Sequence, residues 1–245
     1  MKPTTLGALA VMDYMKVVNR LQDPYIAAEK AWKPIHQKRI EQEIIEGWYL
    51  YKVHFAYDAN PYNFATINTY GSFEKLENPY PKKMIAETHP DKGYDGFEDL
   101  TEESRKKVRS EMSRLVVSSR RDSLQEFPSK YLKVAFIQVK ESDQGAYIQG
   151  EKDIWKAAHE VLIEEGIQDW WAVYQLDFPH GNSVDYQFLT ISGVSSFEKL
   201  NQLDYFGAFQ KAHPSLTMED ELAKTQNIRT TYRAELWELV DSLEK

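Results

Sequence analysis

The sequence contains no cysteine, and this absence excludes disulfides, thiol catalysis, cysteine-ligated zinc and iron–sulfur clusters together. Neither G-x-G-x-x-G nor G-x-x-x-x-G-K occurs, so the glycine-rich loops that cradle nucleotide phosphates are missing. There is also no G-x-S-x-G elbow for a serine nucleophile. The six histidines are scattered and do not have the spacing of a helical metal site such as His-Glu-x-x-His. We therefore expect neither a metal nor another cofactor.

Long apolar runs are missing as well. Nothing approaches the ~20 apolar residues that a membrane span needs, and the first ten residues lack the apolar stretch of a signal peptide. A net charge of -8 repels nucleic-acid phosphates and anionic headgroups. A basic run from Arg105 to Arg121 is a local exception, which we interpret as a solvated face. We expect a soluble protein without nucleic-acid or membrane partners, cytoplasmic as written or exported if a leader was removed.

The composition is that of a folded protein. Hydrophobic residues make up 42% and charged residues 28% of the 245 residues, as in globular proteins with a core. The length favours two domains over one. Aromatic residues make up 13%, with 15 Tyr and 6 Trp, and such side chains line cavities as well as fill cores.

Comparison of the chain with itself reveals a repeat. Trp32-Lys33-Pro34-Ile35-His36 corresponds to Trp155-Lys156-Ala157-Ala158-His159, 123 positions later. Ser72-Phe73-Glu74-Lys75-Leu76 recurs letter for letter from Ser196 to Leu200, 124 positions later, and His89-Pro90 recurs as His213-Pro214. We interpret the chain as a tandem duplication with repeats at 1–124 and 125–245, joined by a linker over 118–130.

Periodicity predicts the same β-α-β-β-α-β order in both repeats. Predicted strands are 10–18, 48–57, 64–70 and 109–117, then 131–140, 170–178, 186–192 and 233–240. Predicted helices are 25–46, one capped by Ser72, one from about 100, 151–165 and one from Ser196. The segment 91–99 lacks the ligand spacing of a calcium loop and is expected to be a surface insertion.

This order with right-handed crossovers gives a four-stranded antiparallel sheet with helices on one face. Strand 131–140 carries apolar residues on both sides, which predicts that the second face is buried too. We therefore expect the two repeats to pack sheet to sheet.

Several short motifs carry a family resemblance: 11–17, Trp32-x-x-x-His36, Gly47-Trp48, Val108-Arg109-Ser110-Glu111 and Tyr232-Arg233-Ala234-Glu235. Together they resemble a bacterial family of the dimeric α/β-barrel superfamily of ferredoxin-like domains. The resemblance implies an α+β fold in which two ferredoxin-like repeats form an intramolecular dimeric α/β-barrel. The superfamily contains cofactor-free monooxygenases, haem enzymes and stress-response proteins, so it implies no single activity.

Tryptophan and histidine recur together in the first predicted helix of each repeat. Trp32 and His36, like Trp155 and His159, are four positions apart and so share one helix face. The imidazole is either a proton shuttle or ligand, or a boundary residue beside a core tryptophan. His89 and His213 precede prolines, and we expect them to orient loops.

Charged residues recur in the last predicted strand of each repeat. Arg109 and Glu111, with their counterparts Arg233 and Glu235, alternate along the strand and so point to one face. They form either an ion pair with no ligand or an arginine fork for a carboxylate or enolate. Tyr51 and Tyr174 occupy corresponding positions of the second strand and add hydroxyls to a cavity or to the core.

Three functional hypotheses stay open from the sequence. The first is a cavity for a small apolar or aromatic molecule, in a protein that only binds it or acts as a cofactor-free oxygenase or isomerase. There His36 or His159 would be the base, and Arg109 or Arg233 would stabilise negative charge. The second is haem binding through a helix histidine, and the third is a structural or interaction module. We expect a monomer with an internal pseudo-dimer, although exposed sheet edges leave a homodimer open.

Overall fold

A computed structural model describes residues 8–56, 60–91, 93–120, 128–181 and 184–245. The strands are β1 (Leu9–Lys16), β2 (Gly47–Val53), β3 (Phe64–Tyr70), β4 (Lys106–Arg120), β5 (Tyr131–Val139), β6 (Trp170–Phe178), β7 (Phe188–Val194) and β8 (Arg229–Glu244). The α-helices are α1 (Gln22–Glu41), α2 (Lys82–Thr88), α3 (Gly93–Ser104), α4 (Gln144–Gly150), α5 (Lys156–Glu164), α6 (Phe197–Asn201), α7 (Tyr205–Ala212) and α8 (Met218–Ile228).

The strands pair in the order β1-β3-β2-β8-β5-β7-β6-β4, which closes on itself as an antiparallel barrel. The chain divides into two compact units, Met1–Met112 with Leu239–Lys245, and Ser113–Glu238. We call them the first and the second unit. The predicted repeat boundary between 124 and 125 lies outside the described residues, as does the middle of the predicted linker.

The sheet of the first unit has two faces of different composition. β3 pairs with β1 and β2, and Trp48 lies opposite Asn68 in this register. Residues on one face, including Leu9, Leu50 and Phe64, pack against α1 in a buried core. We call this the helix face. Because side chains alternate along a strand, Tyr14 and Tyr51 point to the opposite face.

The sheet of the second unit follows the same rule. β7 pairs with β5 and β6, and Ile137, Val173 and Phe188 pack with Tyr147 on the helix face. Val134 and Phe136 point the other way and are also fully buried. The burial of both sides of β5 is in line with the apolar residues found on both sides of this strand.

Most predicted elements occur, with shifted ends. β3 and β6 have the predicted bounds, whereas β2 ends at Val53 and α1 at Glu41, before the predicted ends. The segment predicted as a surface insertion is exposed at Asp91, Asp95, Glu98 and Asp99, and it includes the start of α3 at Gly93. Ser72 does not cap a helix and precedes a 3-10 turn, while Ser196 accepts a hydrogen bond from the Lys199 amide as an N-cap. β4 extends to Arg120, into the predicted linker.

A one-residue difference between the units is absorbed in a helix. Tyr147 and Glu151 follow Tyr25 and Glu29 by 122 positions, whereas Trp155 follows Trp32 by 123. The extra residue falls in a single π-helical turn, Glu151–Trp155, between α4 and α5. Such turns are the usual way for a helix to accept an insertion without losing its register, and they are frequent at functional sites.

Candidate ligand site

An aromatic stack forms the floor of the helix face in the first unit. The His36 ring lies parallel to the Trp48 indole, with centroids 4.8 Å apart and an interplanar angle of 18°. The Trp32 Nε1–H donates to Thr101 Oγ1 at 2.6 Å, which ties α1 to α3. The Tyr80 ring stands edge-on to His36 at 6.3 Å. Helix α1 and strand β2 therefore position the predicted pair Trp32 and His36 against a second tryptophan.

A fully buried arginine lies behind this histidine. Arg39 Nη1 donates to His36 Nδ1 at 2.9 Å and to Asn68 Oδ1 at 2.9 Å, and Nη2 donates to the Tyr70 hydroxyl at 3.0 Å. Its guanidinium carbon lies 3.9 Å above the Tyr80 ring. Within the part of the chain that the structure describes, all of these partners are neutral. A buried charge without an opposite charge costs several kcal/mol unless hydrogen bonds compensate.

Glu29 adds a buried carboxyl to the same helix face. The residue is 4% exposed, and its Oε1 lies 3.5 Å from Arg105 Nε. Burial raises the pKa of Glu29 above its usual value, although Arg105 and the Tyr25 hydroxyl act in the opposite direction. A carboxyl of this kind takes up a proton more readily than an exposed one, which is the property of a general base.

These groups line one cavity of about 590 Å³. Its wall combines the rings of Trp32, His36, Trp48 and Tyr80 with the amide of Asn68. Charged residues also border it: Asp13, Glu29, Glu98, Glu102, Arg105, Lys106 and Lys107. The volume lies within the range of about 300–1,000 Å³ of small-molecule sites. The basic run therefore contributes three residues to the wall of a cavity.

The second unit repeats the stack with different partners. His159 lies parallel to Trp171, with centroids 4.4 Å apart and an angle of 13°, and Trp155 Nε1 donates to Thr225 Oγ1 at 3.2 Å. The His159 Nδ1 lies 3.0 Å from Gln168 Oε1. Burial lowers the pKa of His159 to about 4, partly opposed by the Gln168 hydrogen bond. The histidine of each predicted pair thus stacks on a tryptophan of a strand, Trp48 in the first unit and Trp171 in the second.

The predicted Arg and Glu residues lie on the opposite face of each sheet. Arg109 Nε is 3.1 Å from Glu111 Oε1, and its guanidinium lies 4.2 Å above the Tyr14 ring. In the second unit Arg233 Nε is 3.2 Å from Glu235 Oε1, and its guanidinium lies 4.2 Å above Phe136.

The sheet therefore separates the two predicted sets of each unit. Tyr51 and Tyr174, both buried, also point away from the helix face. Burial raises the pKa of the Tyr51 hydroxyl above its usual value, and the nearby charge of Glu244 raises it further. A histidine on the helix face and an arginine on the other face cannot act on the same atom of one ligand.

Two functional candidates were missed by the sequence interpretation. Glu29 and its counterpart Glu151 are each preceded at four positions by tyrosine, in the pattern Tyr-Ile-x-x-Glu. This recurrence was a usable signal. Arg39 gave none, because its position in the second unit is occupied by Leu162. Of the loop histidines, His213 has Nε2 2.9 Å from the Ile154 carbonyl, as expected for a residue that orients a loop.

Glu151 provides a prediction about pH. Burial raises its pKa to about 7, opposed by Arg229 and Tyr147. The folded state binds the Glu151 proton more tightly than the unfolded state does. The protonated Glu151 therefore stabilises the fold below about pH 4.5, and this contribution is lost as the pH rises through about 7. From pH 4.5 to pH 8, we expect the free energy of unfolding of Glu151→Gln to rise by about 2–3 kcal/mol relative to that of the unsubstituted protein. Urea unfolding of both proteins at the two pH values measures this, with the more exposed Glu160→Gln as control. A difference independent of pH would contradict it.

The strand order and the flanking helices define an α+β protein with a closed eight-stranded barrel. Similar solved structures include a candidate monooxygenase of Fusobacterium nucleatum subsp. nucleatum (TM-score 0.59, 9% identity, 97% of this chain and 94% of that chain). An anthrone oxidase-like protein aligns with a TM-score of 0.53 and 14% identity over 99% and 95% of the two chains. A haem-binding protein of Thermus thermophilus aligns with a TM-score of 0.51 and 10% identity over 96% and 92%. At these identities the likeness establishes the fold.

No protein-family profile and no curated protein sequence matches the chain. Among the helices of the described residues, none is long and apolar enough to cross a membrane. The described residues also contain no cluster of three or more His, Asp or Glu side chains arranged to hold a metal ion.

Proposed function

We propose that the protein binds a small planar aromatic molecule in the helix-face cavity of its first unit. We further propose that it acts on this molecule without a cofactor, as a monooxygenase or isomerase that begins with proton abstraction. One observation carries the proposal: a buried carboxyl with a raised pKa lines the same cavity as four aromatic rings. A chain that only binds the molecule, or serves as a structural module, is the alternative outcome of the tests below.

The cavity walls favour a flat ligand. Tryptophan and tyrosine rings offer large apolar faces to an aromatic ring, and offset or edge-to-face contacts stabilise such pairs by about 0.5–1.5 kcal/mol beyond area burial. The amide of Asn68 and the ring nitrogen of His36 add polar groups at fixed positions. A few oriented polar groups in a mostly apolar wall are typical of small-molecule sites.

Glu29 is the proposed base. His36, one of the predicted bases, is less suited, because burial and the Arg39 charge hold its pKa well below its usual value. Glu29 and His36 are seven positions apart on α1, so about 10 Å of helix axis separates their backbones. A fused-ring molecule can extend between the two side chains, with an acidic C–H near Glu29 and a carbonyl oxygen near His36.

The reaction follows from this arrangement. Glu29 takes a proton from carbon, and the electron pair moves onto the carbonyl oxygen as an enolate. In the isomerase route, the proton returns to another carbon. In the oxygenase route, O2 is the second substrate: anthrone and O2 give anthraquinone and water. The likeness to a candidate monooxygenase and an anthrone oxidase-like protein supports the second route.

The architecture supports a finer statement about origin. We propose that the two units are tandem ferredoxin-like repeats, because each one contains the histidine–tryptophan stack, the Trp-to-Thr bond and the buried Tyr and Glu pair. Among the described residues, the second unit has Leu162 at the position of the buried Arg39. This difference between the units supports the proposal that the ligand binds in the first unit.

Haem fits this cavity poorly. An axial bond needs a ring nitrogen with a lone pair, and the His36 nitrogen that must carry one already accepts from Arg39. Haemin added to the purified protein is therefore expected to give no Soret band that depends on His36. A band that His159→Ala abolishes would favour haem binding in the second unit over the function proposed above.

Two matched variants test the ligand site. Thr66 lies in the cavity wall, and Thr190 occupies the corresponding strand position of the second unit. We expect 1,4-naphthoquinone to quench tryptophan fluorescence saturably and anthrone to be oxidised with consumption of O2. Thr66→Phe fills the cavity and should abolish both signals, whereas Thr190→Phe should retain them. Equal effects of the two substitutions, or no binding by the unsubstituted protein, would refute the site.

A further inference from the structure

The hydrogen bonds of the two stacked histidines have opposite polarity. In the first unit the contact to His36 Nδ1 comes from Arg39 Nη1 at 2.9 Å. Arginine stays protonated in proteins and has donors only. The Nδ1 atom must therefore be the acceptor with the lone pair. A neutral imidazole then carries its proton on Nε2.

The partner of His159 is an amide whose orientation is fixed. Gln168 Nε2 donates to the Trp170 carbonyl at 2.9 Å, so its oxygen is the atom that lies 3.0 Å from His159 Nδ1. An amide oxygen only accepts. His159 Nδ1 therefore carries the proton, and the lone pair is on Nε2.

The residues that determine which ring nitrogen of the stacked histidine carries the proton are different in the two units. Arg39, Asn68 and Tyr70 form one buried hydrogen-bonded group, and Leu162, Ser192 and Val194 stand at the corresponding positions. Conversely, Gln168 stands where the first unit has the buried Ile45. The stacks themselves are alike, with centroids 4.8 Å and 4.4 Å apart. The two units thus share the geometry of the stack, but Nδ1 of the histidine accepts a hydrogen bond in the first unit and donates one in the second.

We propose that Arg39 is a positioning residue that fixes His36 with its proton on Nε2, so that His36 donates a hydrogen bond to a carbonyl or enolate oxygen of the bound molecule. His159 in the second unit presents a lone pair and suits a donor instead. The inference deepens the proposed function, on which its ligand part rests, by naming the group that the first cavity recognises: an acceptor oxygen on an aromatic ring.

The buried charge strengthens this donor. A hydrogen bond from a charged group to Nδ1 polarises the ring and makes the Nε2–H a better donor, because bonds in a chain reinforce each other in a low-dielectric interior. The positive charge also favours an oxygen on which negative charge develops. His36 lines the cavity, whereas Arg39 acts through it from behind.

Nitrogen-15 NMR of the ligand-free, unsubstituted protein tests the polarity directly. The chemical shifts of the ring nitrogens distinguish the two neutral forms, and His36→Gln and His159→Gln assign the signals. We expect His36 with the proton on Nε2 and His159 with the proton on Nδ1. A His36 ring protonated on Nδ1, or an even mixture of both forms, would overturn the inference whether or not any ligand binds.

Binding of two probes tests the role in recognition. 1,4-Naphthoquinone carries acceptor oxygens and naphthalene has the same rings without them. We expect Arg39→Leu to weaken naphthoquinone binding at least tenfold, to leave naphthalene binding within about twofold, and to change the His36 nitrogen shifts. Arg39→Lys, which keeps a charged donor, should restore part of the preference. Gln168→Leu is the control, and it should alter only the His159 shifts.

A folding defect is separated from a loss of recognition by a third variant. Arg39→Leu/Asn68→Ser/Tyr70→Val carries the second unit's residues at all three positions, and so removes the buried charge together with its amide and phenol partners. It should fold and lose the preference for the quinone. An unchanged preference in this variant would refute the role of Arg39. If the unsubstituted protein binds neither probe, the proposed function fails, while the NMR result still decides the polarity.

Discussion

Glu29→Gln is expected to lower the rate of anthrone oxidation by about 10²–10⁴-fold, the usual loss when a general base is removed. The amide keeps the shape of the side chain but cannot take up a proton. Binding of 1,4-naphthoquinone should change little, because this probe has no proton to give up. The kcat value should therefore fall while the affinity for the quinone is retained.

The second unit offers the matched control for this result. Glu151 has the same buried surroundings, with Tyr147 four positions before it, but lies outside the cavity of the first unit. Glu151→Gln should therefore retain anthrone oxidation. If both substitutions reduced the rate equally, or if Glu29→Gln left it unchanged, Glu29 would not be the base. Oxygen consumption and anthraquinone absorbance give two independent measures of the rate.

Trp171→Ala is expected to produce the largest loss of stability, about 3–5 kcal/mol. The indole is 1% exposed, belongs to the core of the second unit and supports the His159 ring at 4.4 Å. Its removal leaves a cavity that the close-packed neighbours on the sheet fill only in part. Because the residue is far in sequence and function from the first cavity, naphthoquinone binding should persist wherever the variant remains folded.

Trp155→Ala serves as the comparison. This indole is only partly buried and packs at the margin of a small cluster with Phe209, although its Nε1–H donates to Thr225. We expect it to lower the free energy of unfolding by about half as much as Trp171→Ala, since less of its surface leaves water on folding. Urea unfolding monitored by far-ultraviolet circular dichroism measures both. An equal loss for the two variants would contradict the stacked-core role of Trp171.

The candidate site was only partly predictable from the pattern of residues. Trp32 and His36 were found because they recur at fixed spacing, and both line the cavity. The sequence hypothesis placed them in one catalytic set with Arg109, but in the structure the sheet lies between this arginine and the helix face. Strand alternation places Trp48 on the helix face and Tyr51 on the other, and Arg109 lies against Tyr14 on that second face. Which face a last-strand residue takes depends on pairing register, and this was not known from spacing alone.

The repeated strands, helices and aromatic positions were determined by the sequence itself, because apolar periodicity and recurring Trp, His and Glu residues are local properties. The hydrogen-bonding role proposed for His36 depends on the tertiary structure. Asn68 and Tyr70 from β3 and Tyr80 from the following segment converge on Arg39, which in turn donates to the His36 ring. Donor and acceptor roles of an imidazole are set by such neighbours, and these residues become neighbours only when the chain has folded.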